Sequence, residues 1–218
     1  MRQFLIAAAL GLGALAGGAG AADIVMTVKA AGGGPAADAV VVAEPISGRA
    51  LATKVLRTEV IAQVDFEFVP RVKAVYLGAA VHFPNKDNGR HHVYSFSPAK
   101  RFELSLYAGT TAPPVVFDQP GVVVLGCNIH DWMIGWVYVS PSPYHAVTGD
   151  DGVARLANLP SGAYRVTVWH PQLEGSGEAT RRQVSVGASG NLDLAAEITL
   201  RPEVRVPRRA FKGKPAGG

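Results

Sequence analysis

Cysteine is all but missing from this chain: Cys127 is the only one. A disulfide framework is therefore excluded, and so is any metal site built from several thiolates. Long apolar runs are missing too. After the first sixteen residues nothing approaches the ~20 apolar residues a membrane-spanning helix needs. No segment carries a long apolar stripe of period 3.6, so long helices are not expected. Charge of one sign is not in excess, with 21 basic against 17 acidic residues. The excess lies in the tail, where Arg201, Arg205, Arg208, Arg209, Lys212 and Lys214 face Glu203 alone. The body before it has no basic face, which argues against nucleic-acid binding. No Ser-His-Asp order, paired-carboxylate motif, phosphate-binding loop or dinucleotide fingerprint is present.

The N-terminus has the form of an export leader. Arg2 supplies the positive start, Phe4 to Ala16 the apolar stretch, and Ala19-Gly20-Ala21 a small-residue cleavage pattern. This predicts a signal peptide over 1–21, a periplasmic mature chain and no stable membrane insertion after cleavage; the alternative is an uncleaved anchor. In an oxidising compartment a lone thiol is exposed to oxidation. A metal ligand, an intermolecular link or an inert buried side chain are the ways Cys127 can persist.

The body reads as all-β. Short alternating apolar runs are separated by Gly, Pro, Asn and Asp, the pattern of a sandwich or barrel. Expected strands are Ile24–Lys29, Ala39–Glu44, Ile61–Val69, Ala80–Pro84, His91–Phe96, Phe102–Tyr107, Gly121–Leu125, Met133–Val139, Ala154–Leu156, Tyr164–His170, Arg182–Val186 and Leu192–Leu200. One short helix fits within Ala50–Leu56.

The chemistry concentrates in Gly126-Cys127-Asn128-Ile129-His130-Asp131-Trp132-Met133. A thiol, an imidazole and a thioether fall within seven residues. The apolar run Val122–Leu125 ends just before Cys127, so the three lie on a loop, where neighbouring side chains can converge. Upstream, His91-His92 opens a strand-like run. Period two sends His91, Val93 and Ser95 to one face and His92, Tyr94 and Phe96 to the other, so one histidine is a ligand and the other a neighbour. Two His, one Cys and a weak axial Met form the ligand set of a mononuclear electron-transfer copper centre. The candidate ligands are one of His91 and His92 together with Cys127, His130 and Met133, holding one copper ion. Asp131 is the alternative axial donor, and zinc the alternative metal. Trp132 and Trp136 flank the loop as candidate shields against water. His82, His145 and His170 read as structural.

These strings resemble the cupredoxins. Phe66-Glu67-Phe68-Val69-Pro70, Gly78, Val81-His82-Phe83-Pro84-Asn85 and His91-His92-Val93 are similar to the family's first ligand region. Pro120-Gly121 and Cys127-Asn128-Ile129-His130 are similar to its second. The resemblance covers about 80 residues and is closest to periplasmic plastocyanin-like proteins labelled methylamine utilisation proteins. It implies a Greek-key β-sandwich, with His91 as first imidazole ligand, Cys127 as thiolate and His130 as second imidazole. It also implies a protein redox partner and a one-electron carrier rather than an enzyme. A copper chaperone or sensor module, or a red-copper enzyme binding a small ligand, are the other readings. Met133 stands three residues after His130, closer than in simple plastocyanin-like proteins. That spacing resembles a binuclear copper centre, but such a centre needs a second Cys, so the site is expected to be mononuclear.

The flanks lack ligand residues. Ile24–Lys29 with Ala37–Val42, and Ala146–Gly152 with Leu159–Val168, resemble prealbumin-like or carboxypeptidase-regulatory-like sandwiches. The expected organisation is a leader (1–21), a first sandwich part (22–59), a copper domain (60–140), a second sandwich part (141–200) and a solvated basic tail (201–218).

Overall fold

The computed structural model describes residues 21–46, 57–109 and 112–204. Its first strands are β1 (Ala21–Ala30), β2 (Val40–Pro45), β3 (Thr58–Val60), β4 (Ala62–Val64), β5 (Glu67–Val69) and β6 (Val72–Tyr76). Then come β7 (Ala80–His82), β8 (His91–Ser97), β9 (Lys100–Tyr107), β10 (Val115–Val116), β11 (Gly121–Gly126) and β12 (Ile134–Ser140). The last are β13 (His145–Val147), β14 (Val153–Pro160), β15 (Gly162–Trp169), β16 (Arg182–Val186) and β17 (Asn191–Ile198). The helical content of the described residues is one 3₁₀ turn, Gly177–Thr180. None of their helices is long and apolar enough to cross a membrane. The all-β expectation holds. The helix expected within Ala50–Leu56, the first twenty residues and the tail from 205 lie outside the described residues.

The sheets stack in layers. β14-β1-β17 faces β13-β2-β15-β16, with Ile24, Met26 and Val28 of β1 packed among Val41, Ala43, Leu156, Val166 and Val168. This sandwich draws on both flanks of the chain. The five-stranded sheet β6-β12-β11-β8-β9 packs one face on the small sheet β10-β7-β3 and the hairpin β4-β5. There Val93, Val123, Leu125, Val137 and Val139 meet Phe68, Val81, Phe83 and Val115. Each such side chain taken from water contributes about 1.5–3 kcal/mol before chain entropy is counted.

β2 joins the two units. Val40, Val41, Val42 and Ala43 are all buried. Val41 and Ala43 face the first core. Val40 and Val42 face Val72, Ala74, Trp136 and Tyr138 on the outer face of the five-stranded sheet. A strand covered on both faces loses its alternation, as the run Val40-Val41-Val42 shows.

Several local expectations change. Ile61–Val69 is a hairpin, not one strand, because Asp65 and Phe66 both adopt left-handed backbone (φ 51° and 61°) and turn the chain. β6 was not expected; it lies parallel to β12, from Trp136↔Val72 to Ser140↔Tyr76. Thr58–Val60 pairs in parallel with Ala80–His82. The basic run begins anchored: Arg201 N–H donates to the Gln172 carbonyl, and Glu203 pairs with Arg71.

Candidate metal centre

β8 presents His91 to the interior together with Val93 and Ser95, at 0%, 0% and 1% exposure. β11 ends at Gly126 and hands Cys127 to the loop leading into β12. The Met133 N–H donates to the His130 carbonyl at 2.9 Å, closing a tight turn over residues 130–133 that leads from His130 into β12. Cys127 and His130 are each 3% exposed.

Three donor atoms converge. His91 Nδ1 lies 3.2 Å from His130 Nδ1, Cys127 Sγ lies 3.6 Å from His130 Nδ1, and Cys127 Sγ lies 4.0 Å from His91 Nδ1. Metal–N and metal–S bonds of about 2.0–2.3 Å, opening at tetrahedral to trigonal angles, hold their donors about 3.3–3.8 Å apart. The observed spacings bracket that range. The group can hold one metal ion.

His91 Nε2 sits 2.7 Å from Asp87 Oδ2. Its N–H donates to the carboxylate, which leaves the Nδ1 lone pair directed at the cluster. Asp87 also accepts from the backbone N–H of Asp65 (2.7 Å, Oδ1) and of Phe66 (3.0 Å, Oδ2). Burial raises the Asp87 pKa; the bonds from Phe66, His91 and Asp65 outweigh it, and the carboxyl ends below its usual value. Asn85 orders this loop from below. Its Oδ1 accepts from Asp87 N–H, and its Nδ2 donates to the carbonyls of Gly89 and Tyr107.

The Asp87 bonds explain Phe66. A phenylalanine in left-handed backbone costs about 1–2 kcal/mol, and charge-assisted bonds to two successive N–H groups offset that. The turn places the Phe66 ring edge-on to both imidazoles, 5.4 Å from His91 and 5.0 Å from His130 between centroids. Trp132 covers His130 from another side at 5.2 Å. Burial, then the neighbouring His91, lowers the His130 pKa. A neutral imidazole keeps the lone pair that a metal needs.

Asp87→Ala is expected to lower copper affinity 10–100-fold, of the order seen when a ligand's outer partner is removed. Asp87→Asn, which keeps an acceptor for His91 Nε2–H, should lose less. Competitive titration with a chelator checks this; equal affinities for all three proteins would show that Asp87 does not orient His91.

No family model matches the chain, and no curated protein does. Solved structures do. A copper-containing nitrite reductase from Thermus scotoductus SA-01 matches at 24% identity and TM-score 0.37, over 44% of this chain and 25% of that one. A purple cupredoxin from Nitrosopumilus maritimus matches at 22% identity and TM-score 0.33, over 38% and 99%. A mutant of amicyanin in its reduced Cu(I) form matches at 20% identity and TM-score 0.35, over 45% and 98%. Each match spans under half of this chain, and the first spans a quarter of the reductase.

Of the residues singled out in the sequence, His91, Cys127 and His130 come together. Met133 is buried at 1% exposure in the same core as Cys127, whereas Asp131 is exposed. His92 points to the other face, its Nε2 2.8 Å from Glu103 Oε1. Trp136 is a correction: it does not shield the site. It pairs with Val124 on the outer sheet face, packs in the interface with β2, and carries Arg71 4.8 Å above its ring. His82 is half-buried on β7. His145 bonds the Ser142 carbonyl, and His170 bonds the Ala37 carbonyl and the Gln172 N–H. Asp87 and Phe66 are the site residues that sequence reasoning passed over. The i,i+4 spacing of Asp87 and His91 was a visible signal. The hairpin turn carrying Phe66 was not.

Proposed function

We propose that this chain is a periplasmic one-electron carrier with one mononuclear copper ion held by His91, Cys127 and His130, with Met133 as the weak fourth ligand. The observation that carries the reading is the convergence of Sγ and two Nδ1 atoms within 4.0 Å of one another. A thiolate with two imidazoles is a soft, borderline set that suits copper, and a buried thioether beside it extends that character. Such an ion exchanges one electron when bound. The protein supplies a rigid β frame, an imidazole oriented by Asp87 and an aromatic cover over both imidazoles. Exposure of Asp131 supports Met133 in the fourth place.

Burial of all three donors under Phe66 and Trp132 favours electron transfer over binding of a small substrate, since a catalytic metal keeps an open position. The leader-like residues 1–21 support export. The strand pairing of both flanks into one sandwich supports a copper domain lodged between the two parts of a second domain. The redox partner is proposed to be a protein.

Met133→Gln is expected to shift the reduction potential while one copper per chain remains bound. Protein-film voltammetry with metal analysis reads both. An unchanged potential and spectrum would remove Met133 from the ligand set.

A further inference from the structure

The outer face of the five-stranded sheet is only half used within the chain. Strand register puts His92, Tyr94 and Phe96 of β8, Val124 and Gly126 of β11, and Ile134, Trp136 and Tyr138 of β12 on that one face. Trp136 and Tyr138 are covered by the β2 sheet. The adjoining half is not: Phe96 is 75% exposed, Val124 43% and Ile134 38%. A phenyl ring this exposed, continuous with an apolar interface, marks a surface shaped for contact.

Next to the projecting ring is a hollow. β8 and β11 pair at Gly126↔Tyr94, and further along the Val124 N–H is taken by the Ser97 Oγ at 2.9 Å in place of a ladder bond. The Tyr94 ring lies close against Gly126, where an added Cβ would come within 2.7 Å of it. The result is an open cavity of ≈ 470 Å³, bordered by Tyr94, Phe96, Ser97, Val124, Asp131 and Ile134 and reaching Cys127 and Met133. Knob and hole therefore sit side by side on one patch. Charge is arranged in the same way. On β9, Arg101 lies opposite Phe96 and Glu103 opposite Tyr94, which sets a basic and an acidic side chain two residues apart along one edge of the patch, while Asp131 borders the hollow.

We propose that a second copy of this chain docks here about a two-fold axis, each Phe96 entering the other copy's hollow and each Arg101 meeting the other's Glu103. A two-fold contact uses the same patch on both partners and needs this self-complementarity. Three apolar side chains and two charges cover less than the ~800 Å² per partner of a standard stable interface, so the association is weak and concentration-dependent. It holds with or without metal. On the copper reading proposed above, it also places both Cys127 loops at one interface, where reduced and oxidised copies exchange an electron.

The test is sedimentation velocity of the full chain from micromolar to millimolar concentration, apo and copper-loaded. The expected result is a rising sedimentation coefficient in both forms. Phe96→Ser and Val124→Lys should weaken association about tenfold or more, with the copper spectrum unchanged. Arg101→Glu should weaken it, and the double variant Arg101→Glu/Glu103→Arg should restore it. A monomer at every concentration overturns the proposal. So does association that Phe96→Ser leaves intact, or a charge swap that fails to restore it; a slower reaction of Phe96→Ser with another redox protein, without self-association, would give the face to a different partner. Loss of copper binding alone would leave the apo result standing and count only against the metal reading.

Discussion

Cys127→Ser is expected to abolish the intense visible absorption of the copper-loaded protein completely. That band needs electron density moving from a thiolate to Cu(II), and this chain has no other sulfur of that kind. The substitution replaces a soft, readily ionised donor by a hydroxyl that stays protonated at neutral pH and is a poor partner for copper. Affinity should fall by more than the 10–100-fold attached to an outer-partner loss, because a direct bond goes. Cys127 also packs in the core with Leu125 and Met133, and burying a serine hydroxyl there costs about 1–3 kcal/mol. Cys127→Ala separates the two effects: it removes the ligand without burying a polar group. Far-ultraviolet circular dichroism of both variants reports the fold. A folded serine variant that keeps its colour would show that Cys127 is no ligand.

His91→Ala is expected to cost far more copper affinity than His92→Ala, although the two are adjacent and both buried. The asymmetry follows from strand geometry. Consecutive residues of β8 face opposite ways, so Nδ1 of His91 meets Cys127 and His130 while Nε2 of His92 meets Glu103. His91→Ala removes a metal donor, one of the three hydrogen bonds to the Asp87 carboxylate and one ring contact of Phe66. His92→Ala removes a ring contact to Tyr94 and a contact to a surface carboxylate, the latter an interaction of about 0–1 kcal/mol where one partner is exposed. Isothermal titration of both variants with Cu(II) settles the order; equal losses, or a greater loss for His92→Ala, would contradict the assigned faces.

The meeting of His91, Cys127 and His130 was legible because it depends on short-range rules. Period two separated His91 from His92, and the apolar run before Gly126 placed Cys127 at the end of a strand. What was hidden depends on pairing between distant segments. The Asp65-Phe66 turn has no glycine and no Asn-Gly signal; its left-handed backbone is held by Asp87, more than twenty residues on. β6 was missed because its alternation is masked: Val72 and Ala74 face the β2 sheet while Val75 faces the other core. Trp136 was misplaced for a related reason. Its nearness to the loop in sequence suggested a shield, but the parity of β12 sends it to the face away from the metal donors. The doubly buried β2 resists sequence reading likewise, since Val40-Val41-Val42 gives no hint that its two faces serve different cores.

X-ray absorption at the copper edge, on protein loaded with one equivalent of copper, reads directly what surrounds the metal. The expected result is a shell of one short sulfur and two imidazole nitrogens, with a longer sulfur beyond them. A shell of nitrogen and oxygen alone, with no sulfur bonded to the copper, would contradict it.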